Sequence, residues 1–152
     1  MRMSCILRAA GADFDVDAFL IDCSIEPITV YYKGAPRYPG SQPDGPKLSR
    51  SGVHFEVSGA DFSEVELQIE EALAFTRAHQ GLLSALKAYP GVERVTMDFG
   101  AERYPRQWCT FYFPSDLLWA VGSLGIAIEL SVYPRSEDES PEDVTSPEDV
   151  TA

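Results

Sequence analysis

The chain has 152 residues, of which 45% are hydrophobic, and its 24 acidic and 12 basic side chains give a formal net charge of −12. One domain of ordinary size fits that length, and folding would bury roughly two-thirds of the surface an extended chain exposes, so no disulfide or metal staple is required. The acidic field has the wrong sign for phosphate backbones, and no apolar run is long enough to span a bilayer, so neither a nucleic-acid nor a membrane partner is expected.

The charge is unevenly divided. From Ser136 to Ala152 there are seven acids and no base, which leaves 17 acids and 12 bases through Arg135, a net of −5. The expected organisation is a single α+β domain over residues 1–135 and a disordered acidic tail over 136–152, where Ser-Pro-Glu-Asp-Val-Thr occurs from Ser140 and again from Ser146. Cys5, Cys23 and Cys109 are an odd number of widely spaced thiols, which suits a reducing compartment. Arg2, Ser4 and Arg8 interrupt the first residues, so no signal peptide is read there and a cytoplasmic location is expected.

Met3 to Arg8 reads as a strand, and Asp13, Asp15 and Asp17 then open a helix whose apolar face is Val16, Phe19, Leu20 and Cys23. Ile28 to Tyr32 looks extended. Residues 33–52 hold Gly34, Pro36, Pro39, Gly40, Pro43, Gly45 and Pro46, a density of breakers that predicts a long loop, and Lys33, Arg37, Lys47 and Arg50 make it a basic arm. Val53 to Ser58 alternates with a period of two. Asp61 or Ser63 caps the next helix, along which Val65, Ile69, Leu73 and Thr76 share a side. Gly81 is expected to break it before a second helical stretch through Leu82, Leu83 and Leu86, which ends at Pro90 and Gly91. Glu93 to Phe99 and Gln107 to Phe113 read as two hairpin strands. Ser115 starts a helix closed by Gly125, and Ile126 to Tyr133 is the last strand. The order from Val53 predicts a mainly antiparallel sheet with helices on one face, a ferredoxin-like βαββαβ core preceded by an extra strand and helix.

Strand alternation places His54, Glu56, Ser58, Thr96, Asp98, Trp108, Thr110, Tyr112, Glu129, Ser131 and Tyr133 on the face the helices leave open. Aromatic side chains with polar tips suit a protein interface, and carboxylates around them disfavour nucleobase stacking. The candidate binding residues are therefore His54, Glu56, Trp108, Tyr112 and Tyr133, together with Lys33 and Arg37 on the basic arm. Motifs for catalysis fall short. Asp13, Asp15 and Asp17 have the spacing that opens a calcium loop, but Ala18 and Ser24 stand where its glycine and bidentate glutamate belong. His54 and His79 have no thiol near them in sequence, so no metal ligand set forms and no cofactor is expected. Gly122-Ser123-Leu124-Gly125 is not a nucleophile elbow, because the serine directly follows the first glycine.

Cys5-Ile6-Leu7-Arg8, Asp13-Phe14-Asp15 before a helix, Pro27 and Lys33-Gly34 resemble the bacterial domain of unknown function 4279 family. Ser115-Asp116-Leu117-Leu118, Leu124-Gly125-Ile126 and a closing Val132-Tyr133 extend the resemblance from Met3 to Tyr133. It implies a small intracellular bacterial α+β protein with no assigned chemistry and no catalytic residue. The function expected from the whole sequence is a non-catalytic protein-binding domain with an unknown, basic partner, of the kind that neutralises a toxin as an immunity protein. The alternative is a small hydrolase or transferase using His54 with Glu56, Glu129 or Asp98 as acid/base groups on the open sheet face.

Overall fold

Apolar side chains at every second position bury one face of the first strand, β1 (Cys5–Gly11), and leave Ile6, Arg8 and Ala10 on the other. The same alternation in β5 (Ser51–Ser58) and β6 (Arg94–Arg103) supplies Val53, Phe55, Val95, Met97 and Phe99 to a common core. The computed structural model describes residues 3–135. Its main sheet has five strands in the order β2-β5-β1-β6-β7, with β2 at Thr29–Tyr31 and β7 at Ala127–Pro134. The strand read as an extra in front is thus the centre of the sheet. The acidic repeats lie outside the described residues.

Helices α1 (Val16–Ile21), α2 (Val65–Ala78), α3 (Gln80–Ala88) and α4 (Ser115–Gly122) pack against strands of this sheet. Asp15 caps α1 by accepting from the Ala18 amide at 3.0 Å, and Val16 and Phe19 turn into the core. The box before α2 forms two residues earlier than Ser63: Asp61 N–H donates to Glu64 Oε2 at 3.1 Å, and the Ser63 amide and hydroxyl both donate to Asp61 Oδ1 at 3.0 Å. The break between α2 and α3 falls at His79, and Gly81 lies inside α3. Gln68 is fully buried on α2, where its Nε2 donates to the Gly100 carbonyl at 2.8 Å and the Asp61 carbonyl at 3.1 Å. Helix and sheet are thereby joined by polar as well as apolar contact.

Three strand pairings in the main sheet are antiparallel, and β6 and β7 run parallel. A ferredoxin-like order needs two strands between its helices, and only β6 is there. Residues 107–113 are not a strand, although their alternation is strand-like. Both edges of β6 are already occupied, by β1 and β7, so no ladder is open to a hairpin partner. Arg106 adopts a φ of 61°, which turns the chain out of line with β6, and the segment crosses irregularly to α4. Phe113 still reaches the core and packs edge-on against Phe99, with ring centroids 5.3 Å apart.

Residues 33–52 are not irregular either. β3 (Pro36–Tyr38) and β4 (Gln42–Lys47) form a separate two-stranded ribbon. Its prolines fit because each strand of a lone pair has an outer edge where a missing N–H breaks no ladder. The ribbon is tied down at its base, where the Tyr32 hydroxyl donates to Asp17 at 2.7 Å and the Lys33 amide donates to the Ser51 hydroxyl at 2.9 Å.

Candidate functional site

Two surfaces emerge where the sequence suggests one. The first is the open sheet face. His54 and Glu56 lie there on β5, and β1 intervenes between them and β6, so that Arg8 sits between His54 on one side and Thr96 on the other. Asp98 is 4% exposed and accepts from Arg8 Nη2 at 2.9 Å and from the Ser131 hydroxyl at 2.7 Å. Arg94 pairs with Glu129 at 2.5 Å, and Arg50 pairs with Glu93 at 3.3 Å. The face is a network of ion pairs crossing adjacent strands.

His54 is half-buried against Tyr31, their rings meeting edge to face at 5.6 Å. Burial pushes its pKa below the usual histidine range, Arg8 pushes it the same way, and Asp98 partly opposes them. Among the described residues His54 makes no hydrogen bond to a carboxylate, and Glu129 and Asp98 are engaged by arginines. The acid/base grouping of His54 with Glu56, Glu129 or Asp98 is not assembled in this geometry. Tyr133, at the far end of β7, stacks on Phe62 at 5.1 Å, also away from His54.

Trp108 and Tyr112 form the second surface. They were expected beside His54 and Glu56 on the sheet, but with residues 107–113 outside it they project from the connection between β6 and α4. Trp108 is 96% exposed and Tyr112 79%. Phe111 lies between them and is shared by two hollows. One, of about 400 Å³, is walled by Phe62, Tyr104, Phe111 and Tyr112, with Glu64, Glu66 and Glu102 among its carboxylates. The other, of about 380 Å³, lies between Trp108, Arg103 and Val132 of β7. An aromatic wall combined with carboxylates can receive a cationic side chain, through ring faces and through charge.

Lys33 and Arg37 are exposed at the base and on the first strand of the ribbon, and among the described residues neither lies within ion-pair distance of a carboxylate. Arg50 does turn back onto the domain, through Glu93. Of the acidic run, Asp15 accepts at the α1 cap and Asp17 accepts from the Tyr32 hydroxyl. No cluster of His, Cys, Asp and Glu among the described residues could hold a metal ion, and no helix among them is long and apolar enough to cross a membrane.

Sequence reasoning passed over Arg8, Arg94 and Tyr31. The signal was present: Arg8 alternates with Leu7 and Ala9, and Arg94 precedes Val95, which assigns both to the face away from the core. Their proximity depends on β1 lying between β5 and β6, which alternation does not encode. Comparison of the chain with family models, curated proteins and solved structures gave no significant match.

Proposed function

We propose that this chain is a non-catalytic protein-binding domain, of the toxin-neutralising kind, and that residues 104–113 carry its contact surface. The observation behind this reading is the near-complete exposure of Trp108 beside Tyr112, on a segment that shares an aromatic hollow with Glu64 and Glu66. Large aromatic side chains left in water gain most by being covered, and tryptophan and tyrosine dominate binding energy where they are. The carboxylates and the net charge of −5 through Arg135 set the partner's sign: its docking face is basic. His54 and Glu56 fall outside this surface. The same proposal keeps the kinship with the uncharacterised bacterial family that the sequence resembles, since neither assigns a reaction.

The test begins with a partner captured by the full chain from its native cells, purified, and titrated calorimetrically against wild type and the Trp108→Ala/Tyr112→Ala double variant. The double variant should bind at least about thirtyfold more weakly, the equivalent of one dominant aromatic anchor. Affinity should also fall as salt rises. Equal affinity of variant and wild type, or a partner whose contact face is acidic, would sink the proposal.

A further inference from the structure

The open face of the sheet holds a third hollow, of about 210 Å³, separate from the aromatic segment. Its floor is low because the strands there carry small residues: Ala10 of β1 pairs with Gly52 of β5 and with Arg94 of β6. A Cβ at Gly52 would come within 2.2 Å of the Tyr31 hydroxyl, so glycine at that position lets the Tyr31 ring lie across β5 as a wall of the hollow. Arg8, Arg50 and Arg94 line the rest, with Glu129 the one carboxylate among the lining residues.

Three guanidinium groups line it, each already facing one carboxylate, Asp98, Glu93 or Glu129, so what the hollow offers an acceptor is their remaining N–H groups. Two polar atoms there are also left over. Thr96 is 2% exposed, lines the hollow, and its hydroxyl has no hydrogen-bond partner; Arg8 Nε is buried without one as well. Arg8 uses only Nη2 on Asp98, and Arg94 only Nη2 on Glu129, although each guanidinium has five N–H donors. Buried donors without acceptors are unfavourable, and such groups in folded proteins call for an acceptor.

We propose that this hollow is a binding site for a small carboxylate, held by the Arg8 and Arg94 guanidinium groups and the Thr96 hydroxyl, with Arg50 and Tyr31 at its mouth. A planar carboxylate matches the guanidinium fork, whose parallel N–H groups are still available. A single negative charge also fits better than the two of a phosphate, because Asp98, Glu93 and Glu129 already offset the charges of Arg8, Arg50 and Arg94.

The probe is acetate, titrated at constant ionic strength into the isotope-labelled full chain while the arginine Nε–H and Thr96 amide resonances are followed, with chloride and inorganic phosphate as parallel arms. Acetate should give saturable shifts with a Kd of about 1 mM, as expected for so small a ligand. Thr96→Val, which keeps the side-chain shape, should weaken acetate about fivefold while leaving the free protein as stable or more so, since the hydroxyl it removes has no partner. Arg50→Gln, at a half-exposed position where folding is not at stake, should weaken it by a comparable factor. Shifts that fail to saturate, shifts that chloride reproduces, or unchanged affinity in both variants would overturn the site. Tighter binding of phosphate than acetate would overturn its assignment to carboxylates.

Discussion

Asp98 was a candidate acid/base group, and its surroundings instead make it the polar keystone of the sheet's open face. Its side chain is 5% exposed, whereas that of its partner Arg8 is 41% exposed. Removing one member of a fully buried pair destabilises by about 3–5 kcal/mol, while exposed pairs contribute about 0–1 kcal/mol. Arg8 stands between these limits, and water can take over part of its solvation, so Asp98→Asn should destabilise by about 2 kcal/mol. The asparagine keeps the shape and its Oδ1 can still accept from Ser131, but its Nδ2 then meets the Arg8 Nη2 donor, so the loss is that hydrogen bond together with the charge. Urea unfolding followed by circular dichroism reads this as a midpoint lowered by about 1 M at unchanged slope. Arg8→Met in the same background should cost little more, because its partner charge is already gone, and the double-mutant cycle should give a coupling of at least about 1 kcal/mol. A midpoint within experimental error of wild type, or additive losses in the cycle, would show that the buried carboxylate is not held by Arg8.

Four further outcomes follow from individual residues. Trp108→Ala and Tyr112→Ala should each change stability by no more than about 0.5 kcal/mol, because neither ring is covered, and a larger loss on calorimetric melting would place them in the core. Gly52→Ala should lower stability by about 1–3 kcal/mol, since the new Cβ meets the Tyr31 hydroxyl at 2.2 Å and the Ala9 carbonyl at 2.8 Å; an unchanged melting temperature would mean Tyr31 does not lie there. His54 has a pKa lowered by folding, so the unfolded chain binds its proton first: the contribution is complete above the ordinary histidine value and is lost as pH falls through the lowered one. Stability should therefore decline over that acid window in wild type and decline less in His54→Gln, and parallel curves would refute the assignment. Cys109 is exposed and Cys5 fully buried, with burial raising the Cys5 thiol's pKa, so an aromatic disulfide reagent should label Cys109 in the native protein and Cys5 only after unfolding.

Local patterns carried the sequence reading as far as local patterns reach. Alternation at Cys5, Leu7 and Ala9 or at Val53, Phe55 and Val57 reports a strand with one buried face, and the helical spacing of Val65, Ile69 and Thr76 reports the buried side of α2. Both survive because the signal and the structure share a period. Gln107 to Phe113 has the same alternation, but strandedness there depends on a free edge, and β6 has none. Pairing is a property of the whole sheet, so Trp108 and Tyr112 were placed on the wrong surface for a reason invisible in their own neighbourhood. The proline-rich ribbon misled in the opposite direction: its breakers forbid an inner strand but not a lone pair of strands with outer edges. Arg8, Arg94 and Thr96 share a site only because the first strand of the chain is threaded between two later ones.

That threading also sets the order in which the molecule can be completed. β1 pairs with β5 and with β6, so that Cys5 faces Ser58 on one side and Phe99 on the other. During synthesis the central strand leaves the ribosome first, yet neither of its neighbours exists until much of the chain has followed, and its Leu7 and Cys5 face has nothing to pack on. Contacts so distant in sequence close slowly, because the loop between them loses entropy before the pairing compensates. Nascent chains that stop short of Phe99 would present an apolar strand with an unpaired edge, the form of exposure that favours association between chains. The native fold seats that strand between two others, and its second edge is covered only when β6 arrives.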